Sequence, residues 1–331
     1  MIKIELSTEV RNEITEIFLN DLFGTDPNGK KKGKLVNALE QIGNRRILQK
    51  NRNINLFDYL YDGNGTVKTD AVKELLLADK KKMDELIDKF GSYNCKSESD
   101  ELLNNIFRYD RFSERVVVRK MLSKMGVTVC PYCNRSYIVT LKKGKVRPQL
   151  DHYYPKAKYP YLALSLYNLI PSCGTCNQAK LDMDTKVEAI LYPYKEEFGE
   201  KIVFATDIED EDQFVKCMTG KSDKWKVSIQ NPEHILEKQV ENQNNKLHLT
   251  ELYNEHKDYI VDIFKSFHVN TEKRVEELLF QFPDIFSTKE EVRSLMFMND
   301  IRKESWGKRP LAKLTHDIYM EIGKWENAKI E

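Results

Sequence analysis

Apolar residues recur at helical spacing over residues 8–22, where Val10, Ile14, Ile17, Phe18 and Leu22 mark one face and Thr8 offers a cap. The segment Gly24-Thr25-Asp26-Pro27-Asn28-Gly29 breaks that pattern, and the basic run Lys30-Lys31-Lys32 follows. Helical periodicity returns over 34–49, 67–90 and 98–124, with Asp62-Gly63-Asn64-Gly65 and Gly91-Ser92 as separators. Near Val127 the texture changes. Ser136 to Leu141 alternates in strand fashion, and Lys142-Lys143-Gly144-Lys145 reads as a hairpin turn. Arg147 to Leu150 and Leu166 to Pro171 read as further short strands, and Cys176 to Lys180 as the first turns of a helix. From about 232 onward the pattern is helical again, interrupted at Pro283 and Pro310. The expected fold class is α+β: a mostly helical chain with a compact centre. Three regions are expected, a helical one over 1–125, a core over 126–200 and a mainly helical one over 201–331.

No apolar run reaches the roughly 18 residues that span a bilayer, and Met1 to Val10 lacks the apolar stretch of a signal peptide. The expectation is a cytoplasmic protein with no membrane partner. A reducing compartment disfavours disulfides, so the six cysteines read as metal ligands or free thiols. Cys130-Pro131-Tyr132-Cys133 and Cys173-Gly174-Thr175-Cys176 form two CxxC pairs. Each pair makes a knuckle that presents two sulfurs to one ion, and two knuckles complete a tetrahedral, closed zinc site. Four free thiols are the alternative. Cys95 and Cys217 stand alone as ordinary thiols.

Chemistry-bearing residues cluster around these knuckles: Asp151-His152 after the first short strand, Asn168 in the second, and Asn177 directly after Cys176. The motifs Cys130-x-x-Cys133, Asp151-His152-x-x-Pro155-Lys156, Asn168-Leu169-Ile170-Pro171 and Cys173-x-x-Cys176-Asn177-x-x-Lys180 resemble the HNH endonucleases in their zinc-ribbon, ββα-metal form. The resemblance implies a phosphodiester hydrolase with His152 as general base and the catalytic set Asp151, His152, Asn168 and Asn177. It also implies a catalytic Mg²⁺ or Mn²⁺ on Asp151 and Asn177, whose carboxylate and amide oxygens suit hard cations. Asn at 177 in place of His makes this an HNN variant and disfavours zinc at that position. Asn168 has either a ligand or a scaffold role.

Lys180, Lys156, Arg147 and Arg135 are candidate contacts to nucleic-acid phosphate, with surface solvation as the alternative for the lysines. Tyr153, Tyr154, Tyr159, Tyr161 and Tyr167 either stack on bases or pack in the core. His248 and His256, on an expected helix, offer a second metal site or plain core or surface histidines. The segments Tyr192 to Gly199 and Arg309 to Thr315 are similar to parts of the nuclease component of Septu-type and retron-linked anti-phage systems. That likeness implies an ABC-type ATPase partner and a defence role. A non-cleaving zinc-ribbon binding or interaction protein is the competing class. DNA and RNA, including tRNA, are both open as substrates.

Charge sharpens the picture. Lys and Arg number 53 against 52 Asp and Glu, a net charge of +1. Residues 111–160, however, hold 12 basic residues against Glu114 and Asp151, whereas 181–212 hold 11 acids against Lys186, Lys195 and Lys201. The chain is polarised rather than neutral. The basic block either draws a polyanion to the site or pairs with the acidic one.

Overall fold

The structure, a computed structural model, describes residues 1–24, 34–42, 55–93, 98–144 and 146–327. The expected breaker and basic run over 25–32, the end of the helix expected over 34–49, Cys95 and Lys145 lie outside the described residues. The chain divides into two compact units made of interleaved segments: Glu5–Val127 with Ile138–Tyr194, and Met1–Ile4 with Thr128–Tyr137 and Lys195–Glu331. The 126–200 segment is thus shared out, with 138–194 packed among the N-terminal helices and 128–137 among the C-terminal ones.

In the first unit, the helix Thr8–Phe23 buries Ile14, Phe18 and Leu22 against the helix Val116–Met125. Its cap is Ser7, whose Oγ accepts from Val10 N at 3.2 Å, one residue earlier than the sequence predicts. The stretch 67–90 forms two helices, Thr69–Leu76 and Lys80–Phe90, because Asp79 caps the second through Lys82 N at 2.9 Å. Likewise 98–124 forms three helices, Glu98–Ile106, Tyr109–Ser113 and Val116–Met125. Gly91 and Gly126 end their helices with φ of 72° and 65°, where a side chain would be strained.

This helical frame carries a two-stranded antiparallel sheet, β1 (Gln149–His152) and β2 (Leu169–Ser172), in the register Gln149↔Ser172 to His152↔Leu169. All four β2 residues are buried. The first strand starts two residues later than expected and carries Asp151 and His152 within it. Asn168 ends the 3₁₀ turn Leu166–Asn168 that leads into β2. The helix Gly174–Lys180 follows. No strand forms over 136–141: Tyr137 makes only an isolated bridge to Val129, and Leu141 N donates to Val146 O at 3.1 Å. The alternation there reflects an exposed loop in which Tyr137, Val139 and Leu141 face water.

Tyrosines form the core beside the sheet. Tyr153 packs edge-on against Tyr154 and Tyr192, each at 4.9 Å between ring centres. Buried hydroxyls donate inward, Tyr153 to Ile190 O at 2.8 Å, Tyr192 to Tyr167 O at 2.7 Å and Tyr194 to Leu169 O at 2.9 Å. With Tyr153, Tyr154, Tyr159, Tyr161 and Tyr167 all buried, packing is their role rather than base stacking.

The second unit contains a sheet that the helical periodicity of 201–331 does not reveal, β3 (Val203–Thr206) paired antiparallel with β4 (Val227–Gln230). The helix Ala312–Asn327 packs on it. Asp317 accepts from Phe204 N at 2.9 Å and forms a buried ion pair with Lys313. Asn134, at φ 50°, donates to Trp306 O at 2.7 Å and accepts from Lys313 N at 3.2 Å, so the C-terminal helix start fixes the turn after Cys133. Tyr253 Oη donates to Cys133 O at 2.7 Å and Gln243 Nε2 to Tyr132 O at 3.1 Å.

Candidate metal and catalytic sites

The four paired cysteines, Cys130, Cys133, Cys173 and Cys176, are buried, and their ligand atoms all lie within 4.8 Å of one another. Tetrahedral zinc with Zn–S near 2.3 Å needs sulfurs about 3.8 Å apart, so this thiol set fits one zinc ion. Backbone N–H groups already point at two of the sulfurs, Arg135 N to Cys133 Sγ and Cys176 N to Cys173 Sγ, each at 3.4 Å. Such contacts favour thiolate, the form that binds metal. Cys217 is separate and buried, and burial raises its thiol pKa. Among the described residues no other cluster of three or more His, Cys, Asp or Glu groups meets at one point. His248 is a left-handed linker between two helices, and His256 Nε2 accepts from Arg135 Nε at 2.9 Å.

Asp151, His152 and Asn177 line one open cavity of about 850 Å³, together with Tyr109, Arg147 and Lys156. His152 is 8% exposed, and its Nε2 lies 3.0 Å from Ala163 O. A carbonyl only accepts, so Nε2 carries the proton and Nδ1 keeps its lone pair. Burial lowers the imidazole pKa to about 3, so the ring is neutral at ordinary pH. Tyr109 packs edge-on to it at 4.3 Å, held by its own hydroxyl on Leu150 O at 3.0 Å. Asn177 Nδ2 donates to Gln149 Oε1 at 2.7 Å, which leaves Oδ1 as the amide atom for a cation. Gly174 makes room for this: a Cβ there would come within 3.3 Å of Gln149 Nε2.

Two of the expected site residues lie inside the fold. Lys180 is wholly buried. Its Nζ lies 3.2 Å from Asp151 Oδ2 and donates to His152 O at 2.6 Å. The last turn of a short helix packed on β1 points inward here, and an ammonium can be buried there because a carboxylate meets it. Asn168 is also wholly buried and spends its amide on backbone. Oδ1 accepts from Tyr154 N at 2.7 Å, and Nδ2 donates to Tyr154 O and Leu162 O, each at 3.0 Å. These bonds tie the loop between the strands, the scaffold alternative of the two open for this residue.

Of the other phosphate candidates, Arg147 and Lys156 line the cavity. Lys156 Nζ lies 3.1 Å from Asp110 and 4.8 Å from the Tyr109 ring centre. Arg135 belongs to the other unit and is engaged by His256. Gln149, Tyr109 and the Ala163 carbonyl shape the site without any sequence motif to reveal them.

Comparison with known proteins gives one sequence relative. Over 112 residues the chain is 29% identical to the Septu protein PtuB of Bacillus thuringiensis. The match covers 34% of this chain and 38% of that protein, so the chain spans well under half of the relative's length. No family model matches the sequence, and no solved structure matches it. No described helix is long and apolar enough to cross a membrane.

Proposed function

We propose that this protein is a metal-dependent endonuclease of the HNH type that acts in anti-phage defence. The observation that carries the reading is the contact of His152 Nε2 with Ala163 O, which leaves Nδ1 as the basic nitrogen, in a cavity that Asp151 and Asn177 also line. Nδ1 takes the proton from a water that attacks a phosphodiester, and the Ala163 carbonyl keeps the ring in that orientation. Asp151 and Asn177 are the residues to hold Mg²⁺ or Mn²⁺, which when bound supplies Lewis-acid stabilisation of charge on the phosphate and leaving oxygen. The fit rests on donor chemistry, since both offer hard oxygen atoms and neither offers sulfur or imidazole. Lys180 holds Asp151 and the His152 carbonyl in place from behind. The thiol set is the structural zinc site. The partial likeness to the Septu protein supports the defence role, and an ABC-type ATPase partner is what the sequence resemblance at Tyr192 to Gly199 and Arg309 to Thr315 implies.

A second reading, a zinc-bearing nucleic-acid-binding module that does not cut, draws on the charge balance of Asp151, already matched by Lys180. Incubation with DNA and with RNA in Mn²⁺ or Mg²⁺, against a chelator control, separates the two. Cleavage that stops on chelation and is lost at least ~100-fold in His152→Ala, with folding and zinc content retained, is the expected result. Full activity in that variant overturns the mechanism.

A further inference from the structure

Three cavities of the first unit adjoin. The catalytic cavity shares Tyr109, Lys156 and Ala157 with a second, of about 400 Å³. The second shares Asn105, Arg108 and Arg111 with a third, of about 270 Å³, whose wall includes Arg115. Sharing walls in this way, the three make a row of neighbouring cavities, a trough of which His152 lines only the first. Arg108 and Arg111 are exposed, and neither meets an acid among the described residues. Arg115 is bound to Asp21 through one nitrogen, but its buried Nε has no hydrogen-bond partner among the described residues. At the saddle between the first two cavities, Lys156 pairs with an Asp110 that is 91% exposed. An exposed pair of this kind is worth little and yields readily to a phosphate. Of the motif residues around 130–180, Lys156 reaches the second cavity.

We infer that the trough is a second binding subsite, in which Arg108 and Arg111 hold backbone phosphates of the nucleic-acid strand whose scissile bond lies at His152. The inference deepens the nuclease reading and rests on it for the position of the cut. Arginine suits this role because its guanidinium stays charged and grips phosphate oxygens through paired N–H donors. Lys156 at the saddle lies on the path between the two places. The contact is to the backbone and is indifferent to base sequence.

The test is binding of fluorescent oligonucleotides, DNA and RNA of one sequence, by anisotropy on the zinc-loaded protein with no Mg²⁺ or Mn²⁺ added, so that nothing is cut. Arg108→Gln/Arg111→Gln should weaken binding of at least one of the two roughly 10- to 100-fold. It should also reduce the slope of log affinity against log salt by about 1.4 to 1.8, the loss of two phosphate contacts. Arg108→Lys/Arg111→Lys should restore most of the slope. Hydrolysis of bis(4-nitrophenyl) phosphate in Mn²⁺, a diester with no neighbouring phosphates, should be unchanged in the Gln variant. Unchanged affinity and slope for both DNA and RNA overturn the subsite, as does no binding by the wild type. A wild type that binds with the expected slope but hydrolyses neither ester nor oligonucleotide overturns the nuclease reading and leaves the strand contact standing.

Discussion

Single side chains of the first unit show how much chemistry depends on what lies beneath the surface. Asn168 is the clearest case. Its amide satisfies one backbone N–H and two carbonyls in a place closed to water. Asn168→Ala strands all three, and each buried unsatisfied group costs about 1–3 kcal/mol. The expected loss is therefore at least about 3 kcal/mol in urea unfolding, and an unchanged midpoint would count against the scaffold role. The Asp, His and Asn at 151, 152, 168 and 177 are legible in the sequence as a group. Their separate fates are not. Asn168 and Asn177 look alike in a motif, but one is closed off by backbone and the other faces a cavity, and burial is set by the whole fold.

Lys180 raises the same issue at the scale of elements. The Cys173 knuckle opens the helix Gly174–Lys180, and the last turn of that helix reaches back to β1 through Lys180. Sequence spacing places Lys180 one turn from Asn177 but does not say which way the turn faces. Alternation at 136–141 lies on an exposed loop and forms no strand, whereas β1 and β2 fall within a few residues of where the pattern puts them. The two short sheets differ in legibility because β2 is buried throughout and flanked by turns, while β3 and β4 are four-residue strands within a largely helical stretch. Two predictions belong here. Lys180→Met leaves a buried carboxylate without its counter-charge and should cost about 3–5 kcal/mol. Adding Asp151→Asn should recover much of it, and purely additive losses in the double-mutant cycle would refute direct coupling. Cys173→Ser should lower both zinc content and melting temperature, since a structural zinc contributes directly to folding. Equal metal content and melting in wild type and variant would argue for free thiols.

Across the whole molecule, the +1 net charge conceals local arrangements that titrate. In the second unit, burial raises the Glu321 pKa to about 7, although Thr206 donates to it from N and Oγ1. The protonated form is therefore favoured in the fold. Its contribution to stability is complete below the unfolded value near 4.5 and is lost as pH rises through about 7. Between about pH 5 and 8 wild-type stability should decline relative to Glu321→Gln, by at most about 1.4 kcal/mol per pH unit. Parallel melting curves for the two proteins would show that Glu321 is ionised throughout. Charge blocks are readable from composition alone, and so is the change of texture near residue 127. The interleaving of segments is not, because periodicity reports which face of an element is apolar and not which distant segment covers it.

That interleaving has a consequence in time. Domains fold as units while the chain is still being made, at about 5–20 residues per second. Everything in the first unit, including Asp151, His152 and Asn177, has been synthesised once Tyr194 is added, whereas Met1–Ile4 and Thr128–Tyr137 belong to a unit whose remaining residues start at Lys195. Ile2 N and Phe198 N make this concrete, the first donating to Pro131 O and the second to Met1 O, each at 3.0 Å. Residues 1–4 thus wait for residues made almost 200 positions later, and the side chains that line the cavity at His152 are all in hand during that wait.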